Sequence, residues 1–167
     1  MRMELSKILS QNPIKDTITL EKSEYYFTKE YLLRKAIKHE ELDLAKQLIQ
    51  AGADVHFRED LAFRFAVKCN YIDAIKLLLE SGADIHVQQE YALRRAIRDD
   101  AIQIVELLLQ YGADLHVEKE YPLRKAIAKG KIEIAGLLIE YGARIEYVFD
   151  YAVQSGKFDM LKNLNSN

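Results

Sequence analysis

Residues that interrupt helices are scarce in this chain, which has 7 glycines and 2 prolines among 167 residues. That scarcity excludes a turn-rich β architecture, because tight hairpins depend on Gly and Pro. Long stretches of Leu, Ile, Ala, Lys and Glu favour helix instead. A single cysteine, Cys69, excludes an intramolecular disulfide, and a reducing compartment, cytoplasmic or nuclear, is expected. No apolar run approaches the roughly 18 residues that suggest a spanning helix. Met1-Arg2-Met3-Glu4-Leu5 also lacks the apolar segment of a secretory signal. No membrane partner is therefore expected.

Charge of one sign is missing too. Lys and Arg number 24 against 26 Asp and Glu, a net charge of -2, so total charge predicts neither nucleic acid nor an anionic membrane as partner. With 49% hydrophobic and 30% charged residues the chain has too many core formers for disorder. Its length suits one domain with a sizeable core.

What the chain does have is a repeat. Gly52, Gly82, Gly112 and Gly142 stand at a strict spacing of 30, the first three opening Gly-Ala-Asp and the last Gly-Ala-Arg. Counted from each glycine, Ala36, Ala66, Ala96 and Ala126 fall at offset 14, the first in a leading unit that has Lys22 at the glycine position. Ile37, Val67, Ile97 and Ile127 follow at offset 15, and Leu42, Ile72, Ile102 and Ile132 at offset 20. The pairs Leu77-Leu78, Leu107-Leu108 and Leu137-Leu138 complete an apolar stripe.

Each unit reads as two short antiparallel helices, in the third unit from about Tyr91 to Asp99 and from about Ala101 to Tyr111. The repeat glycine sits just past the second helix, where a left-handed residue closes the turn. Asn70, Asp100 and Gly130, at offset 18 between the helices, tolerate the same conformation, whereas Glu40 breaks the pattern. Pro122 is placed at the first helical position, where its missing donor costs nothing.

A unit of this length cannot bury its own apolar face, so neighbours stack and share one elongated core. Full units are expected at 22–51, 52–81, 82–111 and 112–141, in one domain. Residues 142–167 form a truncated capping unit, in which Ala152 to Asp159 match Ala126 to Glu133 after a four-residue deletion. Residues 1–21 are read as the N-terminal cap, with a helix over Met3–Ser10 and β-prone Thr17-Ile18-Thr19-Leu20. Phe158, Met160 and Leu161 leave apolar surface at the C-terminal end through which copies could associate.

The segment Tyr121-Pro122-Leu123-Arg124-Lys125-Ala126-Ile127-Ala128-Lys129-Gly130-Lys131-Ile132-Glu133 resembles the ankyrin helix-turn-helix. Leu137-Leu138-Ile139-Glu140-Tyr141-Gly142-Ala143 resembles the second ankyrin helix and its glycine turn. The resemblance covers about 140 residues. It implies an all-α ankyrin-repeat solenoid of stacked helix-turn-helix units. The period is three short of the usual length of about 33, and the loss falls before the first helix, so the β-turn fingers should be short and stunted. The ankyrin Thr-Pro-Leu-His is replaced by Tyr-Leu-Leu-Arg, Leu-Ala-Phe-Arg, Tyr-Ala-Leu-Arg and Tyr-Pro-Leu-Arg. This variant, with Ala-Leu-Arg-x-Ala in its first helix, is similar to ankyrin proteins that giant DNA viruses encode in large numbers, which implies a viral protein of the host cytoplasm.

Three recurrent polar positions call for a role. Arg34, Arg64, Arg94 and Arg124 each lie four residues after an acid, Glu30, Asp60, Glu90 and Glu120, so a ladder of helical ion pairs is expected, with a phosphate-binding arginine row as the alternative. His56, His86 and His116 recur at offset 4. Helical layers about 8–10 Å apart cannot bring successive imidazoles to one zinc at about 2.0–2.1 Å, so they are read as turn-stabilising and no metal site is expected. No nucleophile elbow, phosphate loop, Cys-x-x-Cys or His-Glu-x-x-His is present. His39 and Cys69 share offset 17 and could be neighbours, but no third orienting group accompanies them. Neither catalytic residues nor a cofactor are expected.

Function then falls to the concave face, where the resemblance implies partner contacts at offsets 13, 16 and 17. The candidate binding residues are Lys35, Lys38, Phe65, Lys68, Arg95, Arg98, Lys125 and Lys129, accompanied by His39, Cys69, Asp99 and Ala128. This basic strip favours an acidic protein surface, with Phe65 as an apolar anchor. A polyanion or nucleic-acid binder is the alternative.

Overall fold

The computed structural model describes residues 28–154 together with 156 and 157. The expected N-terminal cap, the start of the leading unit and the apolar residues after 157 lie outside them. The chain divides into two compact units between Ala83 and Asp84. No strand occurs among the described residues.

The first unit contains α1 (Lys29–Lys38), α2 (Leu42–Gln50), α3 (Phe57–Lys68) and α4 (Ile72–Glu80). Each first helix pairs with the second helix that follows it, and α1 packs on α3 as α2 packs on α4. The second unit repeats the arrangement with α5 (Val87–Asp99), α6 (Ile102–Gln110), α7 (Val117–Ala128) and α8 (Ile132–Glu140). A 3-10 helix (Ile145–Tyr147) and α9 (Phe149–Gln154) then close it against α7.

The core follows the repeat. Ala36, Ala66, Ala96 and Ala126 are at most 2% exposed, so within each unit the two first helices approach with small side chains at the contact. Leu33, Phe63, Leu93 and Leu123 are fully buried beside them. From the second helices come Leu48, Leu78, Leu108 and Leu138, also fully buried. The offset-20 residues do not belong to this stripe. Leu42, Ile72 and Ile102 are half-buried and Ile132 is 50% exposed, because they open the second helix before its apolar face turns inward.

Turn chemistry closes each unit as the residue types demand. Gly52, Gly82, Gly112 and Gly142 have φ between 86 and 101°. Glu40, Asn70, Asp100 and Gly130 are left-handed at φ 59–70°, Glu40 included despite its residue type. Pro122 falls in the first turn of the right-handed part of α7, where no intrahelical donor is required.

The link from glycine to first helix is short, and its conformation is one that the residue types do not announce. In α3, α5 and α7 the first turn is left-handed: Arg58, Glu59 and Asp60, then Gln88, Gln89 and Glu90, then Glu118, Lys119 and Glu120 have φ of 48–60°. The right-handed helices begin only at 61, 91 and 121, as the periodicity predicts. The capping unit lacks this turn. Its four-residue deletion falls there, and the 3-10 helix replaces it. The match then resumes: Lys157 N–H donates to Ala152 O at 2.8 Å as Lys131 N–H donates to Ala126 O at 2.9 Å.

Candidate partner-binding face

In the first unit, Thr28 caps α1 by accepting the Tyr31 N–H at 3.2 Å. Half-buried Lys35 lies over the Tyr31 ring at 5.4 Å, and Arg34 stands over both Tyr31 and Phe65 at 5.6 and 5.7 Å. Phe65 is thus half-buried beneath a guanidinium. Lys38, His39, Lys68 and Cys69 are exposed at the ends of α1 and α3, and neither lysine has an ion-pair partner among the described residues.

In the second unit the same positions are partly neutralised. Arg95 and Arg98 both donate to Asp99, Arg95 Nε to Oδ2 and Arg98 Nε to Oδ1 at 3.2 Å. Burial opposes ionisation of Asp99, but the two arginines outweigh it and hold its carboxyl below the usual range. Asp100 pairs with Lys131 at 2.8 Å. Half-buried Lys125 and exposed Lys129 have no ion-pair partner among the described residues. Seven of the eight predicted residues therefore lie on first helices and Lys129 caps α7, four in each unit, but Arg95 and Arg98 are already engaged.

Beneath the left-handed turns lies a second set of charges. Asp60, Glu90 and Glu120 are 4%, 3% and 1% exposed, and each accepts from the histidine four residues earlier. His56 Nδ1 is 3.2 Å from Asp60, His116 Nδ1 is 2.6 Å from Glu120, and His86 Nδ1 donates to Glu90. The histidine backbone is held as well. His56, His86 and His116 N–H groups donate to Asp54, Asp84 and Asp114 at 2.8–2.9 Å. The hydrogen bond that His86 donates to Glu90 is the largest influence on the imidazole, and with the charges of Glu90, Asp84 and Asp114 it raises the imidazole above its ordinary value against the effect of burial. No group of three or more metal-binding side chains occurs among the described residues.

The family model for ankyrin repeats, in three copies, matches residues 65–149. The chain belongs to the ankyrin-repeat family. Ankyrin repeats are generally protein–protein interaction modules, and the family is typically non-catalytic. None of the curated proteins matches the chain. No helix of the described residues is long and apolar enough to cross a membrane.

The arginine that replaces the ankyrin histidine of Thr-Pro-Leu-His does not form the expected ladder. Arg94 donates to Gln88 O at 2.8 Å, and Arg124 donates to Lys119 O and Glu118 O at 3.0 and 2.6 Å, not to the acids four residues before them. Arg64 donates in the same way to Glu59 O and Arg58 O at 2.8 and 2.9 Å. Left-handed residues expose their carbonyls on the inner side of the turn, and the guanidinium fork is shaped to gather two of them. In this ankyrin chain the arginine braces the turn from below while histidine and buried acid pin it from the side.

The buried acids are structural parts of the turns, which sequence spacing alone pairs with the arginines four residues on. An ionisable residue kept at offset 8 through three units, always four residues after a histidine, was the available signal. Arg144 is the other. It stands where the earlier units have aspartate, and its Nε lies 3.0 Å from Glu120 Oε1.

Proposed function

We propose that the chain is a non-catalytic module that captures an acidic surface of another protein through the exposed ends of its first helices. Lys38 and Lys68 in the first unit and Lys129 in the second are exposed cations without an ion-pair partner among the described residues. Lys35 and Phe65 share the first helices of the first unit, and Arg95, Arg98 and Lys125 those of the second. The single observation that supports the reading is the division of labour among the cations. Arg64, Arg94 and Arg124 are spent on backbone carbonyls, whereas the lysines at the helix ends are exposed and carry no ion-pair partner among the described residues.

Lysine ammoniums on a rim attract carboxylates over a distance and steer association more than they fix a geometry. Phe65 adds an apolar contact that needs no further ordering, since Arg34 already covers it. The test is the double variant Lys38→Glu and Lys68→Glu, which leaves the buried helix contacts untouched. Its helical circular dichroism should match wild type. Capture of acidic partners from host lysate should fall by about tenfold through slower association. Unchanged capture by a folded double variant removes the reading.

A further inference from the structure

We propose that Asp99 is a selectivity residue: by holding Arg95 and Arg98 it keeps phosphate-bearing polyanions off the first-helix face of the second unit. The preference for carboxylates that this leaves rests on the function proposed above. The role of Asp99 itself does not.

Phosphate is recognised best by guanidinium forks, which offer two parallel donors, whereas lysine meets it as a point charge. On this face the forks belong to Arg95 and Arg98. Each gives its Nε–H to one oxygen of Asp99, so a single carboxylate takes the Nε edge of both guanidiniums and offsets part of their charge. Asp100 does not share the task, because Lys131 holds it. Beside the Nη donors of these arginines a ligand meets Lys125 in α7 and Lys129 at its C-cap, and α7 packs against α5. Two separate ammoniums can meet carboxylates one at a time, but they cannot grip a phosphate bidentately.

The location of Asp99 argues for a role outside the helix. It is the last residue of α5, where the negative end of the helix dipole and the free carbonyls disfavour a carboxylate. It is partly exposed, so it fills no space in the core. The residues at the same place in the other units are His39, Cys69 and Lys129, none of them acidic. An acid that the helix does not need, set between two arginines, acts on what those arginines can bind.

The full chain and its Asp99→Asn variant would be titrated by fluorescence anisotropy against a labelled 12-nucleotide oligothymidylate and a labelled 12-residue polyglutamate, over a series of salt concentrations. Freeing the arginines should raise oligothymidylate affinity about fivefold and polyglutamate affinity by a smaller factor. The logarithmic salt dependence for oligothymidylate should steepen by about 0.7 for each phosphate newly engaged. Adding Arg95→Ala and Arg98→Ala to Asp99→Asn should abolish the gain. An unchanged oligothymidylate affinity, an equal gain for both probes, or a gain that survives loss of the arginines overturns the proposal. If the gain appears while polyglutamate fails to bind either protein, Asp99 keeps its role and the acidic-partner reading falls.

Discussion

Glu40, Asn70, Asp100 and Gly130 occupy one place in successive helix pairs and share one backbone conformation, φ 59–70°, although only one is glycine. A left-handed conformation costs an L-residue about 1–2 kcal/mol, while glycine loses about 0.5–1 kcal/mol of additional chain entropy on folding. The first term is the larger, so Glu40→Gly should stabilise the protein by about 0.5–1 kcal/mol. The contact made to this residue survives the change, because the Tyr71 hydroxyl donates to the Glu40 carbonyl at 3.2 Å and not to its side chain. Urea denaturation reads the effect directly. A variant no more stable than wild type would show that the Glu40 side chain itself contributes.

At the scale of the element, the left-handed turn that opens α3, α5 and α7 could not be read from residue types. Arg-Glu-Asp, Gln-Gln-Glu and Glu-Lys-Glu contain none of the glycine or asparagine that such a conformation favours. Three successive left-handed residues cost about 3–6 kcal/mol at 1–2 kcal/mol each, so the turn exists only because other parts hold it. Those parts are the arginine fork on its carbonyls and the histidine on its buried acid. The histidine contact should make stability depend on pH. His86 is raised above the ordinary histidine value of about 6.5, so its contribution is complete below that pH and is lost as pH rises through the higher folded value. Thermal melts of wild type and His86→Gln should therefore differ most below about pH 6.5 and converge as the pH rises through the higher folded value. A difference that stays constant or grows with pH would show that Glu90 does not depend on the imidazolium.

Across the whole molecule, each compact unit owes its stability to contacts between its own adjacent helix pairs, where alanine and leucine are repeatedly buried. Leu138 is fully buried in α8, and Leu138→Ala should cost about 2–5 kcal/mol by loss of apolar contact and the cavity left behind. Because each pair is supported by its neighbours, the loss should be local first. Hydrogen exchange should rise in α7, α8 and α9 before it rises in α1 and α2. Uniform acceleration along the chain would argue for a single cooperative core.

The spacing of 30 determined the helices, their pairing, the alanine and leucine core and the glycine turns, because those features follow from local propensity and apolar periodicity that each unit carries in full. It also placed the basic residues on the first helices. Only the tertiary structure decided which of those charges are available. Arg94 and Arg124 meet carbonyls and not the acids four residues before them, Glu90 and Glu120 are buried against histidine, and Asp99 takes the Nε donors of both arginines beside it. Sequence spacing brings charges within reach of several partners. The choice among them depends on backbone geometry and burial, which the left-handed turn sets and no single residue announces.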